Sequence, residues 1–429
     1  MIRPVFYYKS MEKKRVVLHA DCNSFYASVE SVKRPELKEV PMAVAGNPES
    51  RHGIILAKNE LAKKFNIKTA ETIWQAKKKC PDLVLVPPSY SDYVSYSKRV
   101  NSIYQQYTDL CETFGLDETF LDVTASLKLF GKTGRGIADE LRERVKKEIG
   151  ITISVGVSFN KIFAKLGSDY KKPDAVTVID EDNFREFTKD IPVGDMFFVG
   201  PKTAMKLRNI GIDTIGKLAS TEPASLEGLF GKNGRVMWEA ANGLNRDPVR
   251  SIYEKSLPKS VGQGYTFPSN LRYREEIRLG ASTLSEKVIM RMRSQDLLCS
   301  GVQVHLRDPS FHDISRQKKF QRPTRLYTDI FSGAMELINK NWDYRKELRA
   351  MTITAIGISK EEETVYQMDL FGVDEKTEKQ ENLEDAFYGL KKKYGDTMIR
   401  RGNLLNVEGK GEPSDDEDRY IPFHGLEKK

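Results

Sequence analysis

Two short runs of β-branched and apolar residues meet carboxylates at one end, and this pattern constrains the fold more than any other feature of the chain. The run 15–21 ends on Asp21 and is followed by a segment at helical spacing, and the run 119–124 comes directly after Asp117 and Glu118. Each run has the length and composition of a buried strand. The three carboxylates therefore stand at the ends of elements that can lie side by side in one sheet.

Carboxylates that lie so close together repel one another unless cations sit between them. Two divalent ions about 4 Å apart would stabilise both the attacking and the leaving oxygens of an in-line phosphoryl displacement. Magnesium fits such a site because it prefers oxygen ligands and accepts substrate phosphates as further ligands. Taken singly, each acid is typical of a helix N-cap or a surface turn. Only the three together indicate a metal site, with Asp21, Asp117 and Glu118 as catalytic residues.

The rest of the chain divides into segments of different character. Strands that alternate with long helices favour an α/β core, and a run at 151–157 supplies a third strand. Past residue 190 short helices are separated by glycines, and beyond a polar connection the pattern predicts a βαββαβ-like α+β unit. The predicted segments are a flexible N-terminal extension at 1–14, an α/β core at 15–34 and 89–190, a small insertion at 35–88, a helical region at 191–244, a linker at 245–259, the α+β unit at 260–360 and a flexible tail at 361–429.

Composition limits the class of protein further. In 429 residues with 39% hydrophobic side chains, no stretch approaches the roughly 18 uncharged apolar residues that a membrane span needs. The chain also lacks an apolar N-terminal segment with a cleavage site, and its cysteines are far apart without CxxC spacing. We therefore expect a reduced, cytoplasmic protein without structural zinc and without a membrane partner. The four cysteines are Cys22, Cys80, Cys111 and Cys299.

The net charge of +8 conceals an asymmetry along the chain. Residues 361–429 carry 18 acidic against 11 basic side chains, so the rest of the chain has a net charge of +15. A body that basic favours a polyanionic partner such as nucleic acid. Charge that serves only solubility is an equally good explanation on composition alone.

Candidate nucleic-acid contacts fall in two regions. Gly200 and Lys202 belong to a helix-hairpin-helix pattern, in which the N–H groups of a glycine turn and a helix N-terminus can hold a phosphate. The pattern usually has glycine two places earlier, where this chain has Phe198, so a plain packed turn is the alternative. In the α+β unit, basic residues on strands and loops predict one basic face, against the alternative of a merely solvated one. The candidates there are Arg307, Lys318, Lys319 and Arg322.

Three segments together resemble the Y-family translesion DNA polymerases. They are His19–Glu30, Gly115–Asp122 and Ser154–Lys165, and Lys172-Pro173 follows the last of them. The likeness runs from about residue 15 to residue 360 in the family's order. It implies a right-hand polymerase whose α/β core is the palm, with small fingers at 35–88, a helical thumb with the helix-hairpin-helix at 191–244 and a little finger at 260–360.

The resemblance also implies roles for single residues. Asp21, Asp117 and Glu118 match the acids that bind two Mg²⁺ ions, and the backbone carbonyl of Cys22 matches a further metal ligand. The activity that it implies is error-prone, DNA-directed DNA synthesis from deoxynucleoside triphosphates on primer-template DNA, past lesions and without proofreading. Such a protein would serve DNA repair and damage tolerance, in the cytoplasm and associated with the nucleoid.

Substrate contacts follow from the same resemblance. Phe25 and Tyr26 fall at substrate-binding positions, and the ring of Tyr26 is the steric gate that would exclude ribonucleotides. Lys63 and Lys172 match cations that contact the incoming triphosphate. Without the family, Tyr26 is typical of a core aromatic and either lysine of a solvated surface. The segment 60–63 departs from the frequent Tyr-x-Ala-Arg sequence and is closer to the UmuC-like branch, for which a UmuD-type accessory subunit is a further partner.

In the tail, Gln367-Met-Asp-Leu370-Phe371 resembles the pentapeptide by which bacterial polymerases bind the sliding clamp. Leu370 and Phe371 would fill an apolar pocket, and Gln367 would hydrogen-bond at its edge. The amphipathic segment 383–394 that follows either docks on a partner or packs back on the body.

Two other functions are consistent with parts of the pattern. One is a non-catalytic DNA- and clamp-binding factor on the same fold, and the other is a nucleotide cyclase with the same palm chemistry. The presence of all three acids and of the aromatic gate weighs against the first. A thumb-like hairpin and a basic C-terminal unit weigh against the second, because a cyclase needs no grip on a duplex.

Overall fold

The structure, a computed structural model, describes residues 14–47, 53–254, 257–360, 373–395 and 399. The chain divides into two compact units between residues 255 and 256, inside the predicted linker. The predicted N-terminal extension lies, apart from Lys14, outside the described residues. None of the helices in the described ranges is long and apolar enough to cross a membrane. All four cysteines are free and buried.

The first unit contains eight strands and twelve α-helices among its described residues. Its strands are β1 (Val17–Cys22), β2 (Met42–Ala45), β3 (Ile55–Lys58), β4 (Val84–Val86), β5 (Cys111–Thr113), β6 (Glu118–Asp122), β7 (Ile153–Ser158) and β8 (Val176–Ile179). Its helices are α1 (Phe25–Lys33), α2 (Glu60–Lys63), α3 (Ile73–Lys79), α4 (Tyr90–Tyr104), α5 (Ser126–Phe130), α6 (Gly134–Ile149), α7 (Lys161–Tyr170), α8 (Phe184–Thr188), α9 (Pro201–Asn209), α10 (Ile215–Ser220), α11 (Pro223–Phe230) and α12 (Lys232–Ala241).

The main sheet of this unit has the strand order β5-β6-β1-β7-β8. The central strand β1 is antiparallel to both neighbours, and every residue of it is buried. Because side chains alternate along a strand, Leu18 and Ala20 enter the apolar core with α1, α4 and α6. His19 and Asp21 then face the opposite side, where α7 lies. The polar side chains of β1 are thus buried on the face that carries the acids.

Smaller elements surround this sheet. A three-stranded sheet of order β3-β2-β4 carries α2 and α3 and encloses a small core of its own. Helices α9 to α12 share an apolar core with α7 and α8. The residues after α12 stay on this unit, since the backbone N–H of Arg250 donates to buried Glu112. Glu112 in turn pairs with buried Lys161 of α7, with 2.5 Å between oxygen and nitrogen.

The second unit follows the predicted β-α-β-β-α-β order. Its elements are β9 (Ser260–Leu271), α13 (Arg274–Arg293), β10 (Leu297–Arg307), β11 (Asp313–Thr324), α14 (Tyr327–Asn341), β12 (Leu348–Lys360) and α15 (Val373–Tyr394). The strands form one antiparallel sheet of order β11-β10-β12-β9. Apolar residues of α13 and α14 share the core with one face of this sheet.

Helix α15 differs from the prediction of a flexible tail over 361–429. Its Glu384 carboxylate accepts the backbone N–H of Tyr327 over 3.1 Å and lies 3.3 Å from the Arg293 guanidinium. Further along, Lys391 pairs with Glu286 of α13 over 2.6 Å. The segment 383–394 therefore packs back on the body, which was one of the two alternatives.

Candidate active site

Strand pairing brings the acidic residues together at one end of the main sheet. In the β1–β6 ladder Asp21 lies directly opposite Glu118, and residues paired in this way present their side chains on the same face. The backbone N–H of Cys22 donates to the Asp117 carbonyl over 2.9 Å, which holds the residue before β6 beside the end of β1. The three acids predicted as catalytic are therefore neighbours in the structure.

Two lysines supply the positive charge around these acids. Nζ of Lys165 lies 2.8 Å from Oε1 of Glu118 and 3.4 Å from Oδ2 of Asp21. Nζ of Lys172 lies 2.7 Å from the same Asp21 oxygen. Within the described ranges no three carboxylate, imidazole or thiolate groups meet as ligands around one point, and the lysines hold Asp21 and Glu118 instead. Sequence reasoning assigned Lys172 to the substrate and gave Lys165 no role.

Helix α7 can bring Lys165 so close because it lies directly on β7. A Cβ atom at Gly156 would lie 1.9 Å from the Ala164 carbonyl oxygen, and one at Gly167 would lie 3.1 Å from the Gly156 Cα. Only hydrogen fits between strand and helix at this crossing. The face of α7 that carries Lys165 and Ser168 is consequently pressed toward the polar face of β1.

Behind the acids lies a buried imidazole that sequence reasoning also missed. His19 has no exposed surface, and its Nδ1 lies 2.8 Å from Oγ of Ser168. Its Nε2 lies 3.4 Å from Oε2 of Glu118. Burial lowers the pKa of His19, although the neighbouring Glu118 acts in the opposite direction. The spacing of His19 and Asp21 on one face of a strand is the signal that could have found it.

The electrostatics of the acids show a site with excess negative charge. Burial raises the pKa of Asp21, and the Lys172 and Lys165 ammonium groups offset part of that shift. Burial, and then the charges of Asp21 and Glu118, raise the pKa of Asp117 to about 7. Burial acts in the same direction on Glu118, but contact with His19 and Lys165 outweighs it and holds the pKa well below its usual range. An oxygen-rich set with unneutralised charge fits a hard divalent cation such as Mg²⁺.

A loop fixed by three polar contacts presents Lys172 to the acids. The backbone N–H of Asp174 donates to Oδ1 of Asn23 over 2.9 Å, and Nδ2 of Asn23 donates to Oγ of Ser154 over 2.8 Å. From α6, Arg142 donates to the Asp174 carbonyl over 2.7 Å. Burial acts to lower the pKa of Lys172, but the charges and hydrogen bonds of Asp21 and Asp169 together outweigh burial and raise it above its usual range. Lys172 is therefore held as a cation at the site.

The two aromatic residues at the start of α1 have different surroundings. The ring of Tyr26 stacks on Tyr93, with centroids 4.1 Å apart and planes 9° apart, and its edge meets Tyr90. Burial is the first cause that raises the pKa of Tyr26 to about 12. Phe25, in contrast, is only 3% exposed and belongs to the apolar core. Its side chain is a core residue, which does not fit the predicted contact with substrate.

The predicted lysine of the small insertion has a local partner. Nζ of Lys63 lies 2.5 Å from Oε1 of Glu60, one turn earlier on α2. Oγ of Ser24, directly before α1, donates to the same Glu60 oxygen over 3.4 Å. This contact places Lys63 near the start of α1.

The predicted phosphate-binding turn leads into the start of α9. Gly200 is the N-cap of α9, and Lys202 is exposed in the first turn of that helix. Phe198, which replaces the usual glycine, has φ of 73°, in the left-handed region that favours glycine. Its ring stacks on Phe197 with centroids 4.1 Å apart.

The basic residues of the second unit do not form the single face that the sequence predicts. Side chains alternate along β11, and Phe320 packs against the core shared with α13 and α14. Lys318 and Arg322 lie on that same face, where Lys318 pairs with Glu336 of α14. Lys319 is exposed on the opposite face.

Arg307 also lies on the face away from the helices, since its neighbour Leu306 is buried in the core. Its guanidinium donates two hydrogen bonds to Asp313, the residue directly opposite on β11, over 2.7 and 2.8 Å. Of the four predicted contacts, Lys319 and Arg307 therefore share a face. The clamp-binding candidates Gln367, Leu370 and Phe371 lie outside the described residues.

Comparison with known proteins assigns the chain to a family. A profile of the impB/mucB/samB family matches residues 20–169, and a profile of the C-terminal domain of that family matches residues 258–370. The DNA polymerase IV of Acetivibrio thermocellus is 44% identical over 396 residues, which cover 92% of this chain and 99% of that protein. The chain belongs to the Y family of DNA polymerases. It is a DNA-directed DNA polymerase of the translesion class, which confirms the predicted activity over a non-catalytic factor.

Other similar proteins agree with this Y-family assignment. The DNA polymerase IV 1 of Bacillus subtilis is 35% identical over 398 residues, which cover 92% of this chain and 94% of that protein. A solved Y-family DNA polymerase chimera matches with a TM-score of 0.71 at 24% identity, and covers 80% of this chain and 99% of the chimera. The predicted multi-domain polymerase fold is confirmed. The UmuC-like branch that residues 60–63 indicate stays a prediction for this Y-family polymerase.

Proposed function

We propose that this polymerase joins deoxynucleotides to a primer at the carboxylates Asp21, Asp117 and Glu118. The observation that carries the proposal is the β1–β6 register, which sets Asp21 opposite Glu118 with Asp117 beside the end of β1. Such a cluster of buried acids is costly unless cations neutralise it. The lysine ammonium groups that contact the acids in this structure stand in for such cations.

Two Mg²⁺ ions would be held by the three carboxylates and the backbone carbonyl of Cys22. When bound, they would activate the primer 3′-hydroxyl and neutralise the charge of the phosphoryl group under attack. In this structure the Lys165 and Lys172 ammonium groups contact oxygens of Asp21 and Glu118, and they would move to make room for the ions. Asp117 carries no lysine contact of this kind among the described residues, so its carboxylate is free to turn toward the cations.

Around this centre, other residues would bind and select the nucleotide. Lys172, held as a cation beside Asp21, would contact the triphosphate, and charge there stabilises the pyrophosphate that leaves. Lys63 would leave its contact with Glu60 and bind the phosphates of the same nucleotide. The stacked ring of Tyr26 would lie where a 2′-hydroxyl must pass and so act as the steric gate.

Primer-template DNA would be gripped by residues on both units. The backbone N–H groups at Gly200 with Lys202 would bind a phosphate at the start of α9. On the second unit, exposed Lys319 is the better candidate, because Lys318 already has Glu336 as its partner and Arg307 already has Asp313. Contacts of this kind carry little sequence information, as damaged templates require.

The wider partners belong to the same proposal. Gln367, Leu370 and Phe371 would bind a sliding clamp, which would raise the local concentration of the polymerase at the primer end. A UmuD-type subunit is a further partner if the UmuC-like branch is right. Work on chromosomal DNA would place the protein in the cytoplasm with the nucleoid.

Primer extension with purified protein, Mg²⁺ and deoxynucleotides tests the proposal, on intact templates and on templates with an abasic site. The double variant Asp117→Ala/Glu118→Ala should lose extension while it keeps DNA binding, measured by fluorescence anisotropy. The exposed acids Glu186 and Asp213 serve as matched controls, and their double alanine variant should extend like the wild type. Extension that survives in the Asp117/Glu118 variant would contradict the assignment of these residues.

A further inference from the structure

The hydrogen-bond partners of the buried His19 imidazole, behind Glu118, determine which ring nitrogen carries the proton. His19 lies on the polar face of β1, with its ring edge-on to Phe120 at a centroid distance of 4.5 Å. Its Nε2 and the Oε2 of Glu118 lie 3.4 Å apart, and neither buried atom has another hydrogen-bond partner among the described residues. Since buried polar groups are nearly always satisfied, these two atoms are each other's only candidates within the part of the chain that the structure describes.

The direction of the Ser168 hydrogen bond determines whether Nε2 of His19 can donate to Oε2 of Glu118. The Ser168 hydroxyl has one proton and two acceptors at 2.8 Å, the Lys165 carbonyl and Nδ1 of His19. If the hydroxyl donates to the carbonyl, Nδ1 must carry a proton, and in the neutral ring a bare Nε2 then faces a carboxylate oxygen. If the hydroxyl donates to Nδ1, the proton lies on Nε2 and points at Oε2. The Lys165 carbonyl loses little in the second case, because an N–H of the next helical turn is its ordinary partner.

We propose that His19 is a positioning residue for Glu118, with its proton on Nε2 donated to Oε2 and with Ser168 as the donor to Nδ1. The relay Ser168–His19–Glu118 fixes one carboxylate oxygen toward the sheet. It leaves Oε1 for a cation, and that is the oxygen that the Lys165 ammonium contacts at 2.8 Å. Groups that orient a metal ligand in this way raise the affinity of the site. The inference rests on the proposed function only in taking Glu118 as a metal ligand.

The position of the proton can be observed directly. Nitrogen-15 NMR of the histidine side chains distinguishes the two neutral tautomers and the imidazolium, and the chain has five histidines, so loss of one spin system in His19→Asn assigns the signal. We expect the Nε2–H tautomer in the metal-free protein, and a change toward the other tautomer in Ser168→Ala. An Nδ1–H tautomer or a doubly protonated ring in the wild type would overturn the proposal.

A pair of amide substitutions separates positioning from packing. In His19→Gln the side-chain amide nitrogen reaches the place of Nε2 and can still donate to Glu118, whereas in His19→Asn the amide reaches only the place of Nδ1. Mn²⁺ binding, followed by electron paramagnetic resonance, should weaken about 10- to 100-fold in His19→Asn and stay within a few-fold of wild type in His19→Gln. Equal affinities in wild type and both variants, or an equal loss in both, would overturn the positioning role.

Two further results keep this inference separate from the metal site itself. Asp117→Ala should abolish Mn²⁺ binding, whereas the nitrogen-15 NMR spectrum should still show the Nε2–H tautomer of His19. If the wild type binds no Mn²⁺, the proposed metal site fails, while the NMR experiment still tests the hydrogen bond from His19 to Glu118. Thermal unfolding of both amide variants, with equal midpoints expected, shows that a difference in Mn²⁺ affinity does not come from misfolding.

Discussion

At the scale of single residues, the site depends on a glycine that carries no functional group. Gly156 of β7 has no room for a Cβ, which would lie 1.9 Å from a carbonyl oxygen of α7. Gly156→Ala should push the helix off the sheet and lower the free energy of unfolding by about 1–3 kcal/mol or more, because overpacking forces the backbone to shift. Urea unfolding measures the loss, and Mn²⁺ affinity should fall with it because Ser168 moves away from His19.

The matched control is Gly228→Ala in α11, an exposed helical glycine at which a Cβ would have nothing within 4 Å of it. There the same substitution should stabilise by roughly 0.5–1 kcal/mol through helix propensity. Stability unchanged in Gly156→Ala would show that α7 and β7 separate without cost and that the glycine crossing does not position the site.

Tyr26 allows a second residue-scale prediction. Its ring is held by the stack on Tyr93, so it cannot swing aside without breaking that contact. Tyr26→Ala should lower discrimination against ribonucleotides by roughly 10- to 200-fold, the range for one group that fits or fails to fit a pocket. Tyr26→Phe keeps the ring and should keep the discrimination. Single-nucleotide incorporation with deoxy- and ribonucleotides compares the three proteins, and wild-type discrimination in Tyr26→Ala would rule out the gate.

Sequence reasoning found the acids but not the residues that hold them. Asp21, Asp117 and Glu118 adjoin strand patterns that a local reading detects, since the alternation of side chains shows in the sequence itself. Lys165 meets Glu118 only because α7 lies against β1, and that contact depends on Gly156. A tertiary contact of this kind leaves no periodic signal, so a helical lysine looks like a surface residue. His19 meets Glu118 through the β1–β6 pairing, and its alternation with Asp21 along β1 is visible in the sequence.

At the scale of elements, α15 shows how tertiary contacts order a charged segment. The acidic composition of the tail predicts disorder, because few apolar side chains are available to bury. Two ion pairs that are almost fully buried hold the helix to α13: Glu384 with Arg293, and Lys391 with Glu286. Their partners lie about a hundred residues earlier, beyond the reach of any local pattern.

Breaking one of these pairs should release the helix. Lys391→Met leaves Glu286 buried without its partner and should lower the free energy of local opening of α15 by about 3–5 kcal/mol. The double variant Lys391→Met/Glu286→Leu removes both charges and should recover most of the loss. Amide hydrogen exchange along 379–394 measures the opening. Equal protection in the single variant and the wild type would show that the pair does not hold the helix.

The two faces of the second sheet give another element-scale prediction. Lys319→Ala removes an exposed charge on the face away from the helices, so DNA affinity should fall and the slope of log K against log salt should decrease by about 1. Lys318→Ala removes a charge that already pairs with Glu336, and its effect on the slope should be smaller. Anisotropy titrations at several salt concentrations compare them. Equal slopes for both variants would mean that DNA does not distinguish the faces.

At the scale of the whole molecule, the order of the segments could be predicted from the sequence. The residue at which the first unit ends could not, because it depends on tertiary contacts of the connecting segment. Strand and helix patterns predicted an α/β region before an α+β region, and the two compact units follow that order. The connecting residues looked like a uniform polar linker. In the structure Arg250 joins the buried pair of Glu112 and Lys161, so this part of the connection lies on the first unit.

The last prediction concerns how the molecule stays on its template. If Leu370 and Phe371 anchor a sliding clamp, extension without clamp should be unchanged in Leu370→Ala/Phe371→Ala, because neither residue belongs to the site of synthesis. With clamp present, the wild type should gain product length through a higher effective concentration at the primer end, and the double variant should not. Met368→Ala, in the same pentapeptide, is the control that should keep the gain. Clamp stimulation that persists in the double variant would show that another surface of the polymerase makes the contact.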